Sequence, residues 1–147
     1  MVVPVGRDKQ ICIDKIVIDK ICHSLSKHNY ETGGILGSRD DVIVEFEFDT
    51  YSSHELYEYY PATDFLEKII NEDWRRKNIS FVGMIHSHMH NSEISTQDIA
   101  YCQEIIKAND SFNELIIGVL DLSDENNQIA WYSVNMIYAE KISAIYL

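Results

Sequence analysis

The sequence predicts an α/β fold of the α+β kind: one mixed central β-sheet flanked by helices. Three observations predict it. Apolar residues recur at helical spacing in three separate stretches. Between and after these lie runs that alternate every second residue or are continuously apolar over a strand's length. The two kinds interleave along the chain instead of falling into two blocks. The length of 147 residues suits a single domain, residues 1–147, with one real core.

The elements follow in order. "ICIDKIVIDKICHSLSKH" has an ambiguous start, but from Val17 onward Ile18, Ile21, Cys22 and Leu25 have helical spacing. "GGILGS" reads as a short strand with glycine at both ends. In "VIVEFEFD", residues 42–49, Val42, Val44, Phe46 and Phe48 alternate onto one face, and "SRDD" before them suits a hairpin turn. "PATDFLEKIINEDWRRKN" is a helix in which Asp64 can cap, Glu67 follows three later, and Phe65, Leu66, Ile69 and Ile70 form the buried stripe. "ISFVGMIHSH" is an apolar strand that ends in histidines. "STQDIAYCQEIIKAND" is a capped helix with Ile99, Cys102, Ile105 and Ile106 inward. "LIIGVLDL" and "IAWYSV" are strands joined by the polar turn "SDENNQ", and "KISAIYL" is either a last strand or a frayed tail.

Composition narrows the function classes. A formal net charge of −12 disfavours nucleic acid, whose phosphates attract basic proteins, and an anionic membrane surface. Cys12, Cys22 and Cys102 lie far apart inside apolar runs and form no CxxC pair, which suits buried free thiols in a reducing compartment. The start "MVVPVGRDKQ" lacks a signal-type apolar region, and no run reaches membrane-spanning length. The expected location is the cytoplasm.

The stretch "HSHMHNSEISTQD", residues 86–98, carries the chemistry. On a strand, His86 and His88 project from one face and Ser87 from the other. Two imidazoles so placed can converge on one cation. A hydrolytic zinc takes three protein ligands and leaves a fourth position to water, and Asp98 can be the third. Its place at the start of a helix suits a carboxylate, because the helix dipole is positive there. The same letters support a plainer reading: an HxH pair arises by chance, and "STQD" fits a capping box with Ser95 as N-cap and Asp98 at N3. Taken alone, the stretch supports both equally. His90 falls in a loop and is expected in solvent; His23, His28 and His54 are expected at the surface or at helix ends.

Fifty-five positions before His86, "NYETGGILGS" places Glu31 just ahead of a strand that begins with Gly33 and Gly34. Glu31, then "HSH", then "STQD" resembles the motif set of the JAMM (MPN+/JAB) zinc metalloproteases, in the family's order and over most of the chain. The compact length is similar to the prokaryotic JAB branch. The resemblance implies a single MPN/JAB-like domain and zinc as cofactor. It makes His86, His88 and Asp98 metal ligands, Glu31 the acid/base that holds the attacking water, and Ser95 the serine that stabilises the oxyanion. Catalysis of this kind needs no nucleophilic cysteine. The resemblance further implies an isopeptidase or peptidase cutting after the C-terminal glycine of a ubiquitin-like or sulfur-carrier protein, for deconjugation or precursor processing. Implied partners are E1- and E2-like enzymes, and one implied setting is an antiphage conjugation system. An inactive MPN scaffold and a RadC-like protein tied to DNA processing are the rival readings. The chain departs from the family at Met89, where proline is usual, and in the loop between His88 and Asp98, one residue short.

Gly33 and Gly34 suit either a tight turn or room for a substrate tail beside Glu31. The tyrosine-rich "YSSHELYEYYP", residues 51–61, suits strand continuation with half-buried tyrosines, with a substrate-facing loop as the second reading.

Overall fold

In the computed structural model, which describes residues 3–55 and 58–147, seven strands form one sheet in the order β1-β3-β2-β6-β7-β8-β9, closed on itself where β1 (Val5–Ile13) pairs with β9 (Ala139–Tyr146). The sheet is mixed. Pairing is parallel for β1 with β3 (Val42–Phe48), for β1 with β9, and for β6 (Ser80–His88) with β7 (Leu115–Asp121). It is antiparallel where β2 (Gly33–Arg39) meets β3 and β6, and where β8 (Ile129–Val134) meets β7 and β9. Three helices flank it: α1 (Lys15–Ser26), α2 (Thr63–Lys68) and α3 (Thr96–Ala108). The expected architecture is therefore found, and "KISAIYL" is strand.

Neighbouring residues along each central strand serve two cores. Ile35, Met84 and Ile117 pack with Leu66 and Trp74 of the second helix and Cys102 and Ile106 of α3. Leu36, Ile85 and Ile116 pack with Val17, Ile21 and Leu25 of α1. Burial on both faces explains why "LIIGVLD" is continuously apolar instead of alternating.

Four details differ from the sequence reading. The first strand was not legible, because Lys9 and Gln10 interrupt its apolar pattern; β1 gives the sheet its closure. In β3 the expected single face is broken. The register slips opposite Gly37 and Ser38, leaving Val44 as an extra residue, so Ile43 and Phe46 share the α1 core while Val44 packs on the other side. The second helix starts at Thr63 with Ala62 at its N-cap and no side-chain cap, so Asp64 lies within the first turn; beyond Lys68 it widens into a π-helical turn, Ile69–Trp74. Of the thiols only Cys102 is buried; Cys12 and Cys22 are half-buried, and all three are free.

The "SRDD" turn is as expected. Asp40 and Asp41 both take positive φ, 53° and 63°, between the paired Arg39 and Val42. That is the two-residue turn whose twist matches a hairpin. The tyrosine-rich segment is strand, but it does not continue β3: it forms a separate two-stranded ribbon, β4 (Ser53–Glu55) and β5 (Glu58–Tyr60), and Tyr51 and Tyr60 are exposed instead of half-buried; Tyr57 lies outside the described residues. No helix among the described residues is long and apolar enough to cross a membrane.

Candidate metal centre

Strand pleating and a helix cap bring three donors to one point. β6 ends at His88, and its pleat turns His86 and His88 to the same side. Their Nε2 atoms lie 2.8 Å apart. Asp98 Oδ2 lies 3.2 Å from the His86 nitrogen and 3.4 Å from that of His88. A tetrahedral zinc with ligands at its usual 2.0–2.1 Å needs donor atoms roughly 3.3–3.4 Å apart. The triangle of donors is close to that size, and two imidazoles with one carboxylate are a ligand set zinc accepts. The residues present therefore fit a divalent ion. Among the described residues this is the one group of His, Cys, Asp and Glu side chains close enough to hold one.

The cap reading holds as well. Ser95 Oγ accepts from the Asp98 backbone N–H at 3.1 Å, and the Ser95 backbone N–H donates to Asp98 Oδ2 at 3.0 Å, a complete capping box. One oxygen of Asp98 thus both ties the helix start and faces the imidazoles. Asp suffices where Glu or Gln is usual because the cap fixes its short side chain where the histidines end.

Electrostatics follow from this packing. Burial disfavours the Asp98 carboxylate, but the hydrogen bonds of His86 and His88, with the Ser95 N–H, outweigh it and hold Asp98 ionised well below the usual range. Burial likewise opposes a charge on His88; the hydrogen bond and charge of Asp98, with Glu31 and Asn91, outweigh it and raise its pKa. Glu31 is 8% exposed. Burial raises its pKa, opposed by the charges of His88 and His86 and by the Met89 backbone N–H. Proline at position 89 would have no such N–H to offer.

Glu31 is placed beside the histidines through its neighbour. The Thr32 N–H donates to Ser87 Oγ at 3.0 Å, and the Ser87 N–H donates to the Thr32 carbonyl at 2.9 Å. Ser87 is fully buried and points away from the donors, so it fastens the Glu31 segment to β6 from behind. Sequence reasoning gave it no role; a serine inside an otherwise apolar strand is the one signal it left.

Gly33 and Gly34 belong to β2 and neither has positive φ, so the tight-turn reading is wrong. Close approach is the reason for glycine. A Cβ on Gly33 would sit 2.6 Å from the Ile85 carbonyl oxygen and 2.8 Å from the Tyr59 ring; one on Gly34 would sit 2.2 Å from the Glu47 carbonyl oxygen.

Glu31, His86, His88, Ser95 and Asp98 all line one open cleft of about 600 Å³, which the β4–β5 ribbon borders through Tyr59. His90 lies on its rim, exposed and beyond the end of β6. His23 is exposed at the end of α1; His28 stacks on Phe48 and His54 on Tyr30, away from the donor triangle. Replacing Ser95 by alanine is expected to cost about 1 kcal/mol of stability through the lost cap, read as a lower denaturation midpoint, with metal uptake retained.

No protein-family model matches the chain, and no curated protein sequence matches it. Among solved structures, it is similar to the solution structure of protein DSY2949 from Desulfitobacterium hafniense, with a TM-score of 0.72, 14% identity, and 93% of this chain and 92% of that one covered. It is also similar to the crystal structure of AF2198, a JAB1/MPN domain protein from Archaeoglobus fulgidus, with a TM-score of 0.52, 18% identity, and coverage of 92% and 99%. At these identities the likeness defines a class of fold. The chain has an MPN/JAB-like fold, a mixed sheet flanked by three helices. Its His-His-Asp cluster could hold a metal ion.

Proposed function

We propose that the chain is a zinc-dependent isopeptidase or peptidase of the JAMM type, acting after the C-terminal glycine of a ubiquitin-like or sulfur-carrier protein. The observation that carries this reading is the convergence of the His86, His88 and Asp98 donors within 3.4 Å of one another, in one cleft with buried Glu31. His86, His88 and Asp98 would hold the ion. When bound, a divalent ion there supplies Lewis acidity toward a carbonyl and makes water acidic enough to ionise near neutral pH.

The chain's own residues do the rest. Glu31 accepts a proton at its carboxylate from the attacking water, the water oxygen bonds to the amide carbon, and Glu31 passes the proton to the leaving nitrogen as the C–N bond breaks. Its raised pKa brings the carboxyl nearer to the working pH, where an acid/base is most effective. Ser95 Oγ uses a lone pair to cap Asp98, so its O–H remains to donate to the oxygen that gains charge. The three groups need no reorganisation, because a strand, a helix cap and the Ser87 tie already fix them. The β4–β5 ribbon gives the cleft a wall against which an extended, side-chain-poor glycine tail can lie, and the motif resemblance supports the same substrate class. The net charge of −12 supports a protein substrate over nucleic acid.

The test is cleavage of a ubiquitin-like protein fused through its terminal glycine to a reporter, followed by mass spectrometry. Cleavage at the glycine that stops on chelation and returns with zinc is expected. Metal-loaded protein that leaves every glycine-ended fusion intact would contradict the substrate reading.

A further inference from the structure

We propose that Asp49 and Tyr59 latch the β4–β5 ribbon onto the metal centre, making Tyr59 a positioning residue for His86. The inference rests on the reading of His86, His88 and Asp98 as metal ligands. Asp49 follows β3 directly, its backbone N–H donating to the Gly33 carbonyl at 2.9 Å. Its side chain is 1% exposed and lies outside the donor triangle. One of its oxygens, Oδ2, accepts both the Tyr59 hydroxyl at 2.7 Å and the Ala62 backbone N–H at 2.8 Å. Its other oxygen has no hydrogen-bond partner among the described residues. A buried carboxylate is costly unless its bonds are made, so these two bonds are what keep the group in place. They join the end of β3 to β5 and to Ala62, the N-cap of α2.

The Tyr59 ring reaches from this latch to the metal centre. Its Cε2 comes within 2.8 Å of where a Cβ on Gly33 would be, and Gly33 is the register partner of His86. The ring is near-parallel to the His86 imidazole, at 22° with centroids 6.3 Å apart. It therefore backs the imidazole on the side of the ribbon. A two-stranded ribbon outside the main sheet is marginal by itself, and side-chain ties decide whether it stays docked. The Tyr30–His54 stack ties β4; the Asp49–Tyr59 bond ties β5, and it holds the ring that lies alongside His86.

Two variants test this with cobalt(II), whose visible absorption reports its ligand geometry. Tyr59→Phe keeps the ring and removes only the hydroxyl; Tyr59→Ala removes both. Amide hydrogen exchange in the ribbon, residues 53–55 and 58–60, is expected to rise about tenfold in Tyr59→Phe. Cobalt release to excess chelator is expected to be about three- to tenfold faster, with a shifted absorption band in Tyr59→Ala. Cobalt release from Tyr59→Phe at the wild-type rate would overturn the proposal, whatever the ribbon's exchange does. Because Tyr59→Phe preserves volume, the test stands even if Tyr59→Ala fails to fold. A wild-type chain that takes up no cobalt would instead overturn the metal reading beneath it, a failure distinguishable from that of the latch.

Discussion

Glu31→Gln is expected to slow glycine-tail cleavage by about 10²–10⁴-fold while leaving metal content unchanged. Glutamine keeps the shape and the acceptor oxygen that faces the Met89 N–H but cannot take a proton. None of the three donors is altered, so a loss of activity with metal retained separates proton transfer from metal binding. The same change is expected to raise the stability of the metal-free chain at neutral pH. The sign follows from Glu31's raised pKa. As pH rises, the unfolded chain's carboxyl ionises first and the folded one resists, so stability falls through that window, and above the folded pKa the whole penalty applies. Glutamine has no charge to bury. A denaturation midpoint below wild type at neutral pH would show that the Glu31 charge is better satisfied in the fold than its burial implies.

Gly83→Ala is expected to have the largest effect on folding, a loss of about 3 kcal/mol or more, enough to remove much of a typical domain's stability. A Cβ at Gly83 would lie 1.8 Å from the carbonyl oxygen of Ile116, its register partner on β7. The obstacle is backbone, so no side chain can turn aside. β6 is also paired on its other edge to β2, opposite Leu36, which leaves it no direction in which to move. The measurement is chemical denaturation of metal-free protein, so that loss of the ion does not contribute. A midpoint within experimental error of wild type would mean that β6 and β7 are not in the register described. Since Gly83 lies three residues before His86 on the same strand, a folded but shifted variant would also be expected to bind metal poorly.

How far the sequence could be read depended on whether a residue's surroundings are local. The helical stripes of α1 and α3, the hairpin turn at Asp40 and Asp41 and the buried runs of β6, β7 and β8 follow from patterns a few residues long, and all were legible. β1 was not, because its partners β3 and β9 lie far away in sequence and Lys9 and Gln10 mask its apolar residues. Nor was the slip at Val44, since a bulge is a property of the pairing and not of one strand. The donors fall within "HSHMHNSEISTQD", so their convergence could be expected from a strand end and a helix cap. Asp49, Tyr59 and Ser87 meet the site only through tertiary packing, and no spacing announces them. The two competing readings of "STQD" turn out to describe the same atoms: Asp98 Oδ2 completes the cap and also faces both imidazoles.

The central claim is that His86, His88 and Asp98 form a metal centre, and the metal content of the purified chain tests it most directly. Elemental analysis of protein equilibrated with zinc at about pH 8 is expected to give about one ion per chain, and far less for His88→Ala. Bound metal should fall as pH drops, because ligation needs a neutral imidazole and the raised pKa of His88 lets protons compete from a higher pH than for an ordinary histidine. Wild-type protein that stays folded and holds no zinc at neutral pH, or His88→Ala that holds as much as wild type, would contradict it.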